Sequence, residues 1–294
     1  MEICSLSLKH EALRAILPEQ IGALARDALA REAALSPKPG LVDAENSGAH
    51  RDMDLALLIA SANALKPYFV KFAEQGAREA NLSPTGRLSA IRADGMEAEK
   101  VMLAATYGVN THKGALFLLG VLCYSAGYCS ANGMFSTKDV CAAGAKLCTG
   151  ITAELGANAG RAFARYGARG ARGEAQDGFL HAQEALKVYS IASARGTAED
   201  DCWLLSLLTL IASVEDANVL ARCGEETALA LQQRALALVK RYPSGGAPFT
   251  EEIRTLDRDC RAWNASPGGA ADLLACAMFL DALCEKEDTI GSIP

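Results

Sequence analysis

The feature that most limits the fold of this chain is an apolar run over residues 115–126, which directly follows a polar loop over residues 106–114. A helix that is apolar on every face is stable only when other elements surround it. A second run of this kind covers residues 202–214. Both runs are shorter than the ~20 residues that cross a bilayer. The sequence therefore predicts two buried core helices and no membrane partner.

The other segments also predict helices. After Pro18, apolar residues recur at helical spacing, and no segment alternates with the period of two that is typical of strands. Of the 294 residues, half are hydrophobic and 22% are charged, so the chain can bury a large core. We predict an all-α fold, with a single multi-helix domain over residues 1–294 and residues 1–16 and 285–294 at its periphery.

Composition also bears on partners and location. The formal net charge of −6 argues against sequence-independent binding to nucleic acid, which depends on an excess of Lys and Arg. The ten cysteines include no C-x-x-C pair, and several lie in apolar helical windows. This pattern favours buried thiols in a reducing compartment. Polar residues interrupt the first 16 positions, so no signal peptide is predicted, and we expect a cytoplasmic protein.

The loop before the first apolar run is the strongest candidate for a ligand site. Asn110 and Thr111 are residue types that cap helices, and Gly114 leaves the backbone accessible. His112 and Lys113 would stand at the positive end of the helix dipole. A helix start with a lysine can bind an anion, and an imidazole can act as an acid or a base. The alternative is that these residues only cap the helix and form a loop, without binding a ligand.

Three further segments resemble this one in chemistry. Lys38 lies between two prolines on a stiff loop. Ser266 and Pro267 predict a helix start, and the glycines at 268 and 269 suggest close approach of a ligand or another backbone, with Asp272 in the same turn. A third segment is either a solvated helix end or a basic loop that folds onto phosphates. Its arginines are Arg161, Arg165, Arg169 and Arg172.

Acidic residues suggest a metal. No H-E-x-x-H motif or nucleophile elbow is present, which disfavours zinc or serine chemistry. Mg²⁺ binds through one or two carboxylates together with phosphates and waters. Candidates are Asp43, Asp52, Asp54, Glu97, Glu99, Glu215 and Asp216. On the predicted helix that carries it, Glu99 shares a face with Met102 and Thr106, which directs it toward the loop of His112. These residues predict a polyphosphate ligand with Mg²⁺ in a helical scaffold, but no particular reaction.

Six segments, taken together and in order, resemble the triphosphoribosyl-dephospho-CoA synthase family. They are SPKPGLVD (36–43), SGAHRDMD (47–54), GMEAEKVM (95–102), GVNTHKG (108–114), RGEA (172–175) and SPGGAADLLA (266–275). Leu180 and Ala270 depart from the family pattern, in which proline and serine are expected. The resemblance implies that ATP and 3′-dephospho-CoA are the substrates. The acceptor 2′-hydroxyl would attack C1″ of the ribose of ATP, releasing adenine and retaining the triphosphate.

The resemblance also implies roles for individual residues. The phosphate-binding groups would be Lys38, Lys113, Arg172 and the backbone at Gly114, Gly268 and Gly269. Further substrate contacts would be Asp43, Asn110, Thr111, Ser266 and Asp272. Acid–base or sugar contacts would come from Glu97, Glu99, Glu174, His50 and His112. The predicted Mg²⁺ ligands are Asp52, Asp54 and Glu99.

Two other functions stay open at this point. One is an Mg²⁺-dependent hydrolase that cleaves the N-glycosidic bond of a nucleotide or ADP-ribose. The other is a non-catalytic nucleotide-binding or helical interaction protein. The sequence also leaves open whether the chain forms a homodimer.

The family resemblance further implies that the triphosphoribosyl product would pass to a downstream holo-acyl-carrier-protein synthase, for either citrate lyase or malonate decarboxylase.

Overall fold

The computed structural model describes residues 16–134, 136–156, 167–242 and 250–291. In this part of the chain there are eleven α-helices and no strand, which confirms the all-α prediction. The helices are α1 (Pro18–Ala34), α2 (Leu55–Arg78), α3 (Ser89–Ala105), α4 (Lys113–Ala131), α5 (Thr137–Leu147), α6 (Gly170–Gln176), α7 (Leu180–Ala194), α8 (Glu199–Ser213), α9 (Ala217–Arg241), α10 (Thr250–Trp263) and α11 (Gly268–Gly291). A short 3₁₀ helix, Ile151–Gly156, follows α5.

Helix α4 is at the centre of the fold. It contains the apolar run 115–126 and packs against α1, α2, α3, α5, α6 and α11. Its closest neighbour is α2, because a side chain at Gly127 would collide with the backbone of Ala73. Gly120 of α4 likewise faces the ring of Phe72, which lies on α2. The first apolar run is therefore a buried core helix.

Helix α11 is the second central helix. It packs against α1, α4, α5, α7, α8 and α9, and residues 273–280 are all buried. The second apolar run forms α8, whose Trp203, Leu207 and Leu210 are also buried. Because α4 and α11 pack against each other, their N-termini can contribute to the same site.

Local contacts show where several segments begin and end. Helix α2 begins at Leu55, because Asp54 caps it by accepting a hydrogen bond from the Leu57 amide at 2.9 Å. Residues 285–291 continue α11, and their peripheral position stays a prediction. Ile16, which was predicted at the periphery, is buried, and its amide donates to Ser130 Oγ at 2.9 Å. Residues 1–15 and 292–294, together with Arg161 and Arg165, lie outside the described residues.

The sequence analysis compared only the two apolar runs with the thickness of a bilayer, and two helices of the structure are longer than those runs. By length and composition alone, Leu55–Arg78 and Lys113–Ala131 could each cross a membrane. The pair Glu199–Ser213 and Ala217–Arg241, bent by 65°, would add a third span. In the most apolar window of α4, 78% of the residues are buried inside the protein. The absence of a membrane partner stays a prediction.

Candidate active site

A cleft of about 690 Å³ lies where four helices begin. The first residues of α4, α6, α9 and α11 line it: Lys113, Gly170, Ala217 and Gly268. This volume is within the usual range for sites that bind small molecules. Five of the six motif segments contribute lining residues, and residues 95–102 on α3 contribute none. Long-range packing thus brings together segments that are more than 200 positions apart.

The N-terminus of α4 already holds a carboxylate of this chain. Asp272 accepts a hydrogen bond from the Ala115 amide, and a side chain at Gly114 would collide with Asp272 Oδ2. Asn110 Oδ1 accepts from the Lys113 amide at 3.3 Å, but the N-cap residue is His112, so neither Asn110 nor Thr111 is the N-cap that its residue type predicted. Gly114 therefore allows Asp272 to approach. Because Asp272 occupies the adjoining space, the structure does not support the prediction that this backbone holds a phosphate.

Asp216 occupies the start of α11 in a similar way. Its Oδ2 accepts from the amides of Gly269 at 2.7 Å and Ala270 at 3.2 Å. Its Oδ1 accepts from Asn218 at 2.8 Å and Val219 at 3.3 Å, so one carboxylate caps both α9 and α11.

The amides of the two glycines at the start of α11 are already bonded within the chain, so the structure does not support the predicted phosphate contact there. The Gly269 amide binds Asp216, and the Gly268 amide donates to the Ser266 carbonyl at 2.9 Å. A side chain at either glycine would press on Asp216 or Asn218, which explains why both are small. Ser266 is not the cap either, because its Oγ contacts His50 Nε2 at 2.8 Å.

Carboxylates on the cleft wall repel one another. Burial raises the pKa of Asp272 well above its usual range, and the nearby charges of Asp216 and Glu32 raise it further. Burial also raises the pKa of Asp216, although its hydrogen bonds with four backbone amides oppose that shift. The wall therefore carries acidic groups that are costly to ionise together, a common property of functional sites.

Most cations of the cleft are paired with carboxylates. Lys38 is buried and donates from Nζ to Glu32 Oε1 at 2.5 Å and to the Glu32 carbonyl at 2.6 Å. Lys113 pairs with Glu99 at 2.5 Å, and Arg169 with Asp177. Lys38 thus supports the loop around its own backbone. Arg172 does not line the cleft; Arg169 does, which corrects the choice between them.

Arg222 is the exception among the cations of the cleft. Its Nη2 donates to the Ala49 carbonyl at 2.8 Å and to Asn264 Oδ1 at 2.7 Å, both neutral acceptors. Within the described residues it has no carboxylate partner at ion-pair distance. Its charge lowers the pKa of His50, after the larger effect of burial. No motif in the sequence pointed to Arg222, which lies in the second turn of α9, two residues before the non-helical Gly224.

His112 has a buried nitrogen without a partner. Its Nδ1 lies 2.8 Å from Ser61 Oγ, which accepts a hydrogen bond from Thr111 Oγ1 at 2.8 Å. Its Nε2 is buried and makes no hydrogen bond within the described structure. Burial, then the charge of Lys38, lowers its pKa to about 4. His112 is therefore neutral at physiological pH, and its Nε2 is available to a bound molecule.

Glu174 and His181 form a carboxylate–imidazole pair at the cleft. Glu174 is buried, and its Oε2 lies 2.7 Å from His181 Nδ1. Its Oε1 accepts from the His181 amide at 2.8 Å, which fixes the start of α7. Hydrogen bonding to Glu174 raises the pKa of His181, whose side chain is 42% exposed. Sequence analysis missed His181, although its position seven residues after Glu174 and at a helix start was a local signal.

Several predicted residues lie away from the cleft. Glu97 is exposed on α3 and pairs with Lys100 at 3.1 Å. Glu99 does point toward the His112 loop, as predicted, but it reaches Lys113 and not the cleft itself. Asp43 is buried and uses its oxygens on the amides of its own loop. The predicted catalytic or binding roles of these three residues have no support from their positions.

The predicted metal ligands are not assembled. Asp54 caps α2, Asp52 is exposed 3.7 Å from His50 Nδ1, and Glu99 is paired with Lys113. Among the described residues, no three side chains of the His, Cys, Asp or Glu type are arranged to hold a metal ion. The set Asp52, Asp54 and Glu99 therefore does not fit Mg²⁺.

An all-helical protein with an acid–base pair and several cations around one cleft fits the class of enzymes that act on phosphorylated small molecules. The model of a family described as ATP:dephospho-CoA triphosphoribosyl transferase matches residues 18–290. This chain belongs to that family.

Curated relatives agree with this assignment. A protein of Albidiferax ferrireducens named "Probable 2-(5''-triphosphoribosyl)-3'-dephosphocoenzyme-A synthase" is 41% identical, over 92% of this chain and 92% of its own length. A Pectobacterium atrosepticum protein named 2-(5''-triphosphoribosyl)-3'-dephosphocoenzyme-A synthase is 39% identical, over 86% of this chain and 85% of its own. A solved chain from Archaeoglobus fulgidus, 20% identical, covers 76% of this chain and 97% of its own at a TM-score of 0.46.

Proposed function

We propose that this protein transfers the triphosphoribosyl group of ATP to the 2′-hydroxyl of 3′-dephospho-CoA and releases adenine. The observation that carries the proposal is the convergence of five of the six motif segments on one cleft. The family match and the names of the relatives support the same reaction. No comparison favours the hydrolase alternative.

The reaction exchanges one bond for another at a single carbon. The bond between C1″ of the ribose and adenine breaks, and adenine leaves with the electron pair. A bond forms between C1″ and the acceptor 2′-oxygen. The hydroxyl proton leaves that oxygen, and adenine takes up one proton. The sugar passes through a cationic, oxocarbenium-like state, which nearby negative charge stabilises.

The His181–Glu174 pair is best suited to remove the hydroxyl proton. A carboxylate on Nδ1 stabilises the imidazolium that forms when Nε2 accepts a proton, and one such base contributes roughly 10²–10⁴-fold to the rate. Asp216 and Asp272 line the cleft wall, and the negative charge of either carboxylate would stabilise the sugar cation. His112 Nε2 would bind the nucleotide, because it is the buried polar nitrogen of the cleft that lacks a partner.

Phosphate binding falls mainly to Arg222. A guanidinium presents several donors, and two neutral acceptors leave its charge uncompensated. Lys113 and Arg169 also line the cleft but share their charge with Glu99 and Asp177. Holding two anionic substrates in line can contribute roughly 7–11 kcal/mol to lowering the barrier, more than a single acid or base.

Mg²⁺ is proposed as the cofactor. It requires only one or two protein carboxylates beside phosphates and waters, so a cleft without a preformed three-residue group is compatible with it. Glu215, an exposed carboxylate in the cleft lining, is the residue that would hold it. When bound, Mg²⁺ reduces the charge of the triphosphate.

We place the reaction in the cytoplasm, where ATP and reduced thiols are available. The product would serve as the prosthetic-group precursor for the acyl carrier protein of citrate lyase or of malonate decarboxylase. A separate holo-acyl-carrier-protein synthase would attach it.

Mass spectrometry tests the proposed reaction. The purified protein is incubated with ATP, Mg²⁺ and 3′-dephospho-CoA, and adenine is measured in parallel. We expect an acceptor heavier by one triphosphoribosyl group, with one adenine for each adduct. Adenine without the adduct would favour a hydrolase, and ATP binding without adenine release would favour a non-catalytic protein.

A further inference from the structure

A second cavity, of about 410 Å³, adjoins the cleft. Its walls come from the end of α8, the first half of α9 and the start of α11. Most of its lining is apolar: Ile211, Val214, Val219, Leu220, Ala228, Leu229, Leu231, Pro267 and Ala270. The reaction as described makes no use of this space.

The two cavities differ in charge. The cleft is lined by Lys38, Lys113, Arg169, His181 and Arg222. Among the described residues, the lining of the second cavity contains no Lys, Arg or His, and its charged members are Glu215, Asp216 and Glu225. A triphosphate would be repelled there, whereas an uncharged group would not. The second cavity is therefore suited to a neutral, largely apolar ligand.

The cavities meet at one edge. Val214, Glu215 and Asp216 line both of them, and Asp216 holds α9 against α11 between the two spaces. Glu215 is exposed at this edge. A molecule in the cleft can thus extend over Glu215 into the second cavity. Of the two proposed substrates, only dephospho-CoA has a part that is both long and uncharged.

We propose that the second cavity binds the pantetheine arm of 3′-dephospho-CoA. This inference rests on the proposed function. The arm has two methyl groups, two amides and a thiol, and no charge. Its methyl groups match the apolar lining, and the side chain of Gln232, fixed by a 2.9 Å bond from Nε2 to the Val214 carbonyl, can accept from an amide through Oε1. The adenosine part of the acceptor then lies in the cleft beside His181.

Two substitutions on α9 test the arm site, with a matched control. Leu229 is 53% exposed and lines the cavity; Leu236, on the same helix, is 40% exposed and does not. We expect Ala228→Phe to raise the KM for dephospho-CoA about tenfold by filling the cavity, and Leu229→Ala to raise it about threefold. Leu236→Ala should leave it unchanged. Leu229 is more than half exposed, so Leu229→Ala should fold even if the larger variant does not.

The armless nucleotide ADP separates the arm from the rest of the acceptor. Its inhibition constant is measured against dephospho-CoA at saturating ATP, and it should stay within about twofold in all three variants, as should the KM for ATP. An unchanged KM for dephospho-CoA in both cavity variants would overturn the arm site. An equal rise in the inhibition constant of ADP would overturn it too, by placing the nucleotide in the cavity. Absence of adduct with the wild-type protein would instead refute the proposed function.

Discussion

His181 is the residue on which the proposed chemistry depends most. Its pKa is raised above the ordinary value of 6.5, mainly by the hydrogen bond to Glu174. As a base it acts in its neutral form, so kcat/KM should rise with pH through an apparent pKa above 6.5. Glu174→Gln should move this limb to lower pH and reduce the maximal rate about tenfold. A pH–rate profile of both proteins measures the shift.

The other histidines of the cleft serve as internal controls. Burial lowers the pKa of His112 to about 4 and also lowers that of His50, so neither titrates above 6.5. A limb below 6.5 that Glu174→Gln leaves in place would assign the base to His50 and contradict the role of His181.

The raised pKa of His181 also makes the stability of the protein depend on pH. The His181–Glu174 pair stabilises the fold most below the unfolded pKa of the histidine. That stabilisation is lost as pH rises through the folded pKa.

Comparing Arg222 with Arg172 tests which arginine binds phosphate. Arg222 lines the cleft without a carboxylate partner, whereas Arg172, the sequence-based candidate, lies outside the lining. Arg222→Ala should raise the KM for ATP at least about tenfold, because hydrogen bonds to charged groups contribute roughly 1.5–3 kcal/mol. Arg172→Ala should change it less than about twofold. Steady-state kinetics that gave the reverse order would restore the original choice.

Asp272 should cost stability in its ionised form. Its folded pKa lies above its unfolded value, so its contribution favours the fold while it is protonated. That contribution is lost as pH rises from the unfolded pKa to the folded one. Asp272→Asn keeps an oxygen for the Ala115 amide and removes the repulsion. We expect it to stabilise the protein by about 0.5–2 kcal/mol at neutral pH and to lower activity.

Thermal unfolding at two pH values checks the Asp272 prediction. The gain of Asp272→Asn over the wild type should be larger at about pH 8 than at about pH 5, because the cost of a raised folded pKa grows with pH up to that pKa. A variant less stable than the wild type at the higher pH would show that the charge of Asp272 supports the helix start of α4 more than it strains the cleft.

At the scale of elements, Asp216 joins two helices. One oxygen caps α9 and the other caps α11. Asp216→Ala should reduce the free energy of unfolding by about 1–4 kcal/mol, the range for two lost caps. Asp54→Ala is the matched control, because Asp54 caps only α2 and should cost about 0.5–2 kcal/mol. Urea unfolding measures both. Equal losses would mean that Asp216 does not stabilise both helices.

Sequence patterns predicted the elements better than their contacts. The apolar run 115–126 identified the central helix, and the polar loop before it marked its start, because these signals are local. The carboxylates at the helix starts were not predictable in that way: Asp216 meets Gly269 at a separation of 53 residues, and no periodicity records such a contact. Glycines at 268 and 269 indicated close approach, but the sequence could not say that a side chain of the same chain approached.

The sequence also could not show which charged side chains pair with each other. Lys38 was correctly expected on an irregular loop, yet its ammonium group is bound by Glu32, six residues earlier and on a different element. Arg222 was missed because an arginine on an amphipathic helix is ordinary until the fold places it at a cleft. Only the ordered set of six motifs carried the identity of the reaction, and that came from resemblance.

At the scale of the whole molecule, the packing of the two central helices explains the position of the site. Helices α4 and α11 pack against each other, and their N-termini face one cleft. Helix starts favour negative charge, and the carboxyl groups of Asp272 and Asp216 occupy the starts of α4 and α11 at the cleft. The packing of these two helices in the apolar core therefore sets the distances between the charged groups that line the cleft.

Photolabelling with 8-azido-ATP tests most directly whether this cleft is where ATP reacts. The protein is irradiated with the probe, with and without excess ATP, and the labelled peptides are identified by mass spectrometry. The account predicts ATP-protected label within residues 110–118, 169–181, 213–222 or 266–275, which hold most of the cleft lining. Protected label confined to the outer face of α3, around residues 97–100, would contradict it.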